Sequence, residues 1–456
     1  MNLIETRRNF LRTAARGVLG AAAVQALPAL GVTTPRDASP VRSGAEPSPA
    51  AAWIAKQKSR VSERDWKLLQ RAQATLESNI LRGPDPATKD VFGAQKDLSK
   101  PEPWAPLRGI SPSPFGYRGI WNWDSAFHAV AVARWDPELA REQIRIILDR
   151  QLPGGGFPDV VFEDGNVVTD FGKPPVMGWA CARVDSYAPA PAFLSWAYDR
   201  FVRNEEHWVA RRGGEKDGLF HYDSEKPVMD ARDHDAKLES GWDTSVRWDN
   251  GCRTLWPVDL NCFMVMLYDS LASMAERLRR GADVKKWRAR RASLAREINA
   301  RLWDRSTERY LDYDFKRGQF SPVLSPACFM PLYVHVASEH QAANMARLAA
   351  DPEKFSPGFP SVAYNDPEYR SDQYWRGPTW LNIAYFALHG LRDYGHTSVS
   401  GACRNSILNW CTAEESALYE YYDSRTGRGL GARQFGWTAA FVIEFILNWG
   451  RSAAQG

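Results

Sequence analysis

The sequence predicts an all-α domain, and three observations lead to this expectation. Helical patterns dominate from residue 62 onward, strong strand signals are few, and no composition break divides the chain after residue 60. The 456 residues have a globular composition, with 44% hydrophobic and 25% charged residues. Ten or more helices are compatible with a bundle, a solenoid or a closed double ring. The long aromatic loops favour the closed ring, a toroid with its loops at one end.

The helices follow in order from their capping and periodicity. The first is predicted over residues 62–83, with its apolar positions on one face. The next begins at Asp136, an N-cap residue that is followed by Pro137 in the first turn. Others are predicted at about 174–183, 190–210, 259–280, 283–303, 326–350, 377–393, 398–412 and 436–449. Val160–Phe162 and Tyr310–Tyr313 are typical of short hairpin arms.

The N-terminal segment is typical of an export signal. Arg7 and Arg8 form a twin-arginine pattern, and an Ala/Gly/Val/Leu stretch with small residues up to Ala26 follows. Residues 1–26 are therefore predicted to be a twin-arginine signal peptide, residues 27–55 a disordered linker rich in Pro, Ala and Ser, and residues 56–456 a single catalytic domain. This organisation predicts a periplasmic or secreted protein that has no membrane segment after signal removal.

Charge and cysteine content exclude several function classes. The net charge of +4 falls to +1 without residues 1–26, so no basic footprint for nucleic acid remains. The six cysteines form no C-x-x-C pair and are predicted to be buried thiols, and the eight histidines are scattered. We therefore expect no metal and no cofactor.

Four segments combine Trp, acidic and Gly/Pro residues in a way that packing alone seldom requires. The chain has 19 Trp, and indole rings suit either a deep core or flat platforms for sugars. The segments cover residues 119–128, 239–250, 373–382 and 419–438. Each also has a structural interpretation: Asp124 as a helix cap, an Asp–Arg pair in the second segment, and buried turns in the third.

The second segment carries the strongest chemical signal. Three acids and Arg247 lie among two Trp within twelve residues. Apolar rings disfavour the charge of a neighbouring carboxyl group, which is how a carboxylic acid stays protonated near neutral pH. A proton donor is therefore expected here, with Arg247 orienting Asp243 or a neighbouring acid.

Five motifs in this order resemble those of the trehalase and family 63 glycoside hydrolases, especially the small bacterial members that hydrolyse mannosylglycerate or glucosylglycerate. The motifs are W-D-S at 123–125, E-S-G-W-D at 239–243, W-R-G-P at 375–378, E-Y-Y-D at 420–423 and F-G-W-T at 435–438. The resemblance covers about residues 60–450 and implies an (α/α)6 barrel. One departure is G-A-R-Q at 431–434, where the trehalases have a Gly-rich stretch with a Glu.

The resemblance implies an inverting glycoside hydrolase that acts on a small α-glucoside or α-mannoside. It assigns the general acid to Asp243 and the general base to Glu420, whose carboxyl groups should then be roughly 6.5–9.5 Å apart. The remaining predicted site residues would bind the substrate: Trp121, Trp123, Asp124, Glu239, Trp242, Arg247, Trp375, Arg376, Gln434 and Trp437.

Two other function classes remain open at this stage. A polysaccharide lyase on a similar toroid would abstract a C5 proton, with Tyr421 or Tyr422 as the base, and would leave the paired acids unused. A non-catalytic carbohydrate-binding protein would bind sugars without releasing reducing ends.

Overall fold

The computed structural model describes residues 47–82, 107–214, 218–226 and 229–450, and it confirms the all-α prediction. The helices are α1 (Pro49–Gln57), α2 (Glu63–Ser78), α3 (Asn122–Val132), α4 (Pro137–Leu148), α5 (Met177–Tyr187), α6 (Pro191–Arg212), α7 (Met229–Ser240), α8 (Val258–Arg277), α9 (Gly281–Arg301), α10 (Met330–Tyr333), α11 (Glu339–Ala350), α12 (Leu381–Asp393), α13 (Thr397–Ala413) and α14 (Gly436–Leu447).

These helices form a closed double ring. The inner ring consists of α3, α5, α8, α10, α12 and α14, each in contact with the next, and α14 packs against α3 to close the ring. Closure brings α14 very near α3, because a Cβ on Gly436 would lie 2.3 Å from Nε2 of His128. The outer ring consists of α2, α4, α6, α9, α11 and α13, which pack on the inner helices. The predicted toroid is thus confirmed within the described residues.

Inner and outer helices differ in their sequences as their environments require. Every residue of α3 is buried, whereas α9 buries only one stripe of its surface. The outer helices α2, α4 and α11 begin with side-chain caps from Ser62, Asp136 and Ser338. The inner helices α3, α12 and α14 instead begin after Trp121, Trp380 and Phe435, which provide no side-chain cap. The inner helices therefore start among the aromatic motifs, at the loop end of the ring.

Short antiparallel strands organise those loops. They are β1 (Ile80–Arg82), β2 (Arg108–Ile110), β3 (Ile120–Trp121), β4 (Val160–Val161), β5 (Val167–Val168), β6 (Leu255–Trp256), β7 (Trp303–Asp304), β8 (Arg309–Tyr310), β9 (Tyr313–Asp314), β10 (Gln319–Phe320), β11 (Tyr419–Tyr422) and β12 (Gly429–Arg433). The sheets are β1–β2, β3–β4–β5, β10–β9–β6, β7–β8 and β11–β12. Both predicted hairpin regions are confirmed. The β11–β12 register shifts between Tyr419 and Tyr421, which places Glu420 at a β-bulge.

The structure corrects several predicted boundaries. Helix α1 begins within the predicted linker 27–55 and ends at Gln57; Ser48 caps it, and Ala50 and Ile54 are buried. Residues 27–46 and the predicted signal 1–26 lie outside the described residues. The predicted helix 326–350 is interrupted at His335, whose φ is +50°, and restarts at a capping box on Ser338. Helix α7 was not predicted. Helix α12 begins at Leu381 rather than at residue 377, the start of the predicted helix 377–393.

Candidate active site

The predicted acid, Asp243, follows a sharp turn at the end of α7. Gly241 has a φ of +75°, and a Cβ there would lie 2.4 Å from the ring of Trp123. The N–H of Trp242 donates to Oγ of Ser240 at 3.0 Å, which fixes the turn. Asp243 itself is 8% exposed. The turn therefore holds this carboxyl group inside the aromatic loop layer rather than at the surface.

Arg247 contacts the acid segment and is itself held by buried ion pairs. Its guanidinium donates to both oxygens of Asp259 at 3.0 and 2.7 Å and to both oxygens of Asp312 at 2.8 and 3.0 Å. It also lies 4.7 Å from the ring centroid of Trp242. Burial lowers the pKa of Arg247, but the two carboxylates outweigh it and raise that pKa well above its ordinary value. The side chain is 0% exposed, which favours a positioning role over the predicted contact with substrate; the predicted orientation of Asp243 or a neighbouring acid stays a prediction.

Glu239 is likewise held inside the protein. Its carboxylate accepts two hydrogen bonds from Arg212, at 2.9 and 2.8 Å, and one from the N–H of Asp223 at 2.8 Å. The residue is 1% exposed. These contacts give the buried acid charged and backbone partners, and Glu239 also lines the cleft between α6 and the loops around residues 152–157 and 169–178, so its predicted contact with substrate stays a prediction.

The predicted base, Glu420, lies on β11 opposite the bulge of β12 and is 2% exposed. Its carboxylate accepts a hydrogen bond from the Tyr117 hydroxyl at 3.2 Å and one from the N–H of Ala432 at 3.1 Å. Gly431 makes the second bond possible, because a Cβ there would lie 2.7 Å from Oε2 of Glu420. The carbonyl of Glu420 accepts from Nε1 of Trp437 at 3.1 Å. The bulge therefore fixes both the backbone and the carboxylate of this residue.

A column of stacked rings connects the two segments. Trp242 stacks on Trp375 at a centroid distance of 5.0 Å, Trp375 on Trp380 at 3.8 Å, and Trp380 on Tyr421 at 4.5 Å. The column thus runs from the neighbour of Asp243 to the neighbour of Glu420. The chain neighbours of both buried acids therefore belong to one continuous column of rings.

Other predicted tryptophans flank this column. Trp123 meets Trp437 edge to face at 5.7 Å, and Trp437 meets Trp380 in the same way at 5.5 Å. Trp123, Trp242, Trp375 and Trp437 are at most 1% exposed. Packing against one another is thus the contact that the structure shows for them.

The remaining predicted residues lie in the same loop layer. Arg376 donates to both oxygens of Asp249, at 2.9 and 2.8 Å, and to the carbonyl of Thr244 at 3.3 Å. Nε1 of Trp121 donates to the carbonyl of Tyr117 at 3.2 Å. Asp124 is 2% exposed in the first turn of α3, and the cap position belongs to Trp121. Gln434 has a φ of +51° and is half-buried where β12 ends.

Tyr117 and Gly431, which lie against Glu420, and Trp380, the centre of the ring column, were not among the predicted site residues. Tyr117 lies in a loop before β3, where no periodic pattern marks it. Gly431 stands in the G-A-R-Q stretch that departs from the trehalase pattern. Its requirement for a positive φ of +76° becomes visible only in the hairpin.

A separate cleft, lined in part by Glu239, lies between α6 and the loops around residues 152–157 and 169–178. Its charges are compensated internally, since Lys173 pairs with Asp159 at 2.9 Å, and Glu225 pairs with Arg212 at 2.7 Å. Neither Asp243 nor Glu420 lines it. Within the described ranges, no group of three His, Cys, Asp or Glu side chains is arranged to hold a metal. None of the helices described is long and apolar enough to cross a membrane.

Comparison with known proteins defines the class. The model of the mannosylglycerate hydrolase MGH1-like glycoside hydrolase domain matches residues 117–438. The chain is 29% identical to a mannosylglycerate hydrolase from Rubrobacter radiotolerans, over 74% of this chain and 92% of that protein. It is 30% identical to a periplasmic trehalase from Salmonella newport, over 47% of this chain and 40% of that enzyme. The protein is a glycoside hydrolase.

More particularly, the chain belongs to the MGH1-like glycoside hydrolase family, as the match over most of its length shows. The fold agrees with a crystal structure of the family 63 mannosylglycerate hydrolase from Thermus thermophilus in complex with Tris and D-glycerate. That structure has a TM-score of 0.68 and 21% identity, covering 84% of this chain and all of that one. The predicted family resemblance, the toroid and the assignment as a glycoside hydrolase are therefore confirmed.

Proposed function

We propose that the protein hydrolyses a small α-glycoside with a carboxylate-bearing aglycone, of the α-mannosylglycerate or α-glucosylglycerate type. Asp243 is the general acid and Glu420 the general base. The observation that carries the proposal is the joint burial of these two carboxyl groups in one aromatic layer, on segments connected by stacked rings. The names of the relatives support the substrate class.

The mechanism follows from the surroundings of each group. Asp243 protonates the leaving oxygen, while Glu420, held by Tyr117 and the Ala432 N–H, removes a proton from a water on the opposite ring face. Attack from that face inverts the anomeric configuration. The buried, ring-lined layer limits bulk water, which strengthens the electrostatic stabilisation of the positively charged transition state.

The sugar-contacting residues remain part of the proposal. Asp124 and Gln434 offer polar groups to hydroxyls of the terminal sugar. Trp121, which is 4% exposed, and Trp123, Trp375 and Trp437 form the wall behind them.

The aglycone leaves from the side of Asp243, so a cation that recognises its carboxylate must lie on that side. Arg376 fits this requirement, because it bonds to the carbonyl of Thr244, the neighbour of Asp243, and keeps 17% of its side chain exposed. Arg183 is buried against Glu444 at 3.0 Å. Arg253 pairs with Asp223, and Arg376 pairs with Asp249 and Glu368, so the position of Arg376 beside Thr244, rather than freedom from a carboxylate partner, selects it. Arg376 is accordingly the proposed contact for an anionic aglycone.

The twin-arginine signal adds export of the folded protein to the proposal, with the periplasm or the exterior as the destination. The described state of the cysteines supports it: all six are buried, unpaired thiols. Thiols in this state are compatible with folding in a reducing compartment before export.

A substrate panel tests the function. Purified protein is incubated with α-mannosylglycerate, α-glucosylglycerate, the amide of each glycerate, and trehalose, and sugar release and the anomer formed are followed by proton NMR. We expect release of the β-anomer first, and faster release from the carboxylates than from the amides. An α-anomer as first product would exclude inversion, an unsaturated product would favour the lyase, and equal rates on acid and amide would exclude recognition of the anion.

A further inference from the structure

We infer that Trp380 is a positioning residue that sets the separation between the general acid and the general base. The inference rests on the proposed roles of Asp243 and Glu420. Trp380 ends the short segment 375–380, which contacts the acid segment at its first residues and the base strand at its last. This segment is called the brace below.

On the acid side, the brace has two independent contacts. Trp375 stacks on Trp242, and Arg376 bonds to the carbonyl of Thr244 and to Asp249. Asp243 lies between Trp242 and Thr244 in the chain, so the brace contacts the residue on either side of the acid. Trp242 also contacts Arg247, at 4.7 Å from its ring centroid, and Arg247 is held by buried ion pairs to Asp259 and Asp312.

On the base side, the brace is bonded to β11 by its backbone. Thr379 and Tyr422 exchange two hydrogen bonds, N–H to carbonyl, at 2.8 and 3.1 Å. The ring of Trp380 stacks on Tyr421 at 4.5 Å with an interplanar angle of 26°. Glu420 immediately precedes Tyr421 on β11, so the position of Glu420 depends on these contacts.

Trp380 joins the two sides inside the brace. Its ring lies parallel to that of Trp375, at 3.8 Å and 2°, and its Nε1 donates to the carbonyl of Tyr374 at 3.0 Å. The side chain is 2% exposed. A smaller residue here would separate the stack on Trp375 from the stack on Tyr421. The two carboxylates would then lose their common support, although neither would be altered chemically.

Such a change matters because an inverting enzyme needs a gap of fixed width for its water. Displacement by about 1 Å can lower a catalytic rate roughly 10²-fold. A change in the gap also changes the electrostatic interaction between the two carboxyl groups, which moves the limbs of the pH–rate profile relative to one another. A loss of folded protein would instead lower the whole profile without moving its limbs.

The test compares Trp380→Leu with a matched variant, Trp287→Leu. Trp287 is also a buried indole, 1% exposed, stacked on Tyr268 at 6.2 Å and 16°, and its Nε1 donates to the Tyr198 hydroxyl at 2.8 Å. It lies on α9 in the outer ring, outside the loop layer. Both variants are measured by thermal unfolding and by the pH dependence of kcat and KM for α-mannosylglycerate.

We expect Trp380→Leu to lower kcat by about 10²-fold with a much smaller change in KM, and to shift the separation of the two pH limbs. Trp287→Leu should lower thermal stability while leaving kcat per folded molecule and both limbs in place. If Trp380→Leu lowers thermal stability but leaves kcat per folded molecule and both pH limbs unchanged, the inference is overturned. If it does not fold, Trp380→Phe and Tyr421→Leu replace it, and normal pH limbs in both overturn the inference.

The outcome can be separated from that of the proposed function. Full turnover by Asp243→Asn or Glu420→Gln would contradict the catalytic roles themselves. Loss of turnover in those variants, together with unshifted limbs in Trp380→Leu, would contradict only the role of Trp380.

Discussion

The acid and base segments reach the same aromatic layer by different means. Asp243 lies in a loop that is anchored by charge, through Arg247 beneath it and Arg376 beside it. Glu420 lies on a strand, and it accepts hydrogen bonds from three uncharged donors: the Tyr117 hydroxyl, the Ala432 N–H and the indole of Trp437. A loop without a sheet partner needs buried ion pairs to define its position, whereas a hairpin strand obtains the same precision from its ladder and its bulge.

The difference predicts where each segment is most vulnerable. The acid segment should fail when one buried charge is removed, because its partner charges are then left without compensation. The base segment should tolerate loss of single hydrogen bonds but should fail when an added atom displaces the bulge.

The largest expected effect belongs to Arg247→Met. Removal of the guanidinium leaves Asp259 and Asp312 buried without their cation, so we expect a loss of about 3–5 kcal/mol in the free energy of unfolding. Urea denaturation at pH 7 measures it. Arg247→Lys keeps the charge but not the four hydrogen bonds and should lose less. A loss below about 1 kcal/mol for Arg247→Met, the range of a surface pair, would contradict the proposed anchor.

An intermediate effect is expected for Gly431→Ala on the base side. The new Cβ would lie 2.7 Å from Oε2 and 2.8 Å from Cβ of Glu420, so the carboxylate must move. We expect kcat to fall roughly 10²-fold. Gly318→Ala is the matched control, because its φ of +71° imposes similar strain, while its nearest neighbour, the Tyr313 hydroxyl, is 3.9 Å away. Equal kcat values for the two variants would show that backbone strain, rather than contact with Glu420, governs activity.

The smallest effect is expected for Tyr117→Phe. The change removes a hydroxyl donor at 3.2 Å from the Glu420 carboxylate and leaves the ring in place. A loss of about 1 kcal/mol corresponds to a roughly fivefold lower kcat/KM. Because the hydrogen bond favours the charged carboxylate, the low-pH limb of the profile should move to higher pH. Tyr394→Phe, which removes a hydroxyl bonded to the carbonyl of Ala337, should leave that limb in place.

The sequence predicted the fold and the chemical motifs well, for a physical reason. Helical periodicity and sparse strand signals predicted the all-α class, whereas the resemblance carried by five short motifs implied the toroid and located the acid and base segments. The outer helices α2 and α4 begin near their predicted residues because Ser62 and Asp136 cap them. The inner helix α12 begins later than predicted because its start, at Trp380, carries no such cap.

The partners of the site residues could not be predicted in this way. Arg247 stands four residues from Asp243, yet its hydrogen bonds go to Asp259 and Asp312, which lie 12 and 65 residues away. Tyr117 reaches Glu420 across 303 residues. Such pairings depend on closure of the ring, which no local pattern encodes.

Glycosyl fluorides provide the most direct test of the central claim, since fluoride leaves without needing a proton. Hydrolysis of α-mannosyl fluoride and of α-mannosylglycerate is compared in Asp243→Asn and Glu420→Gln. The account predicts that Asp243→Asn loses turnover of the glycerate but keeps substantial turnover of the fluoride, whereas Glu420→Gln loses both. Equal loss of both substrates in Asp243→Asn, or retained fluoride turnover in Glu420→Gln, would contradict the assignment of acid and base.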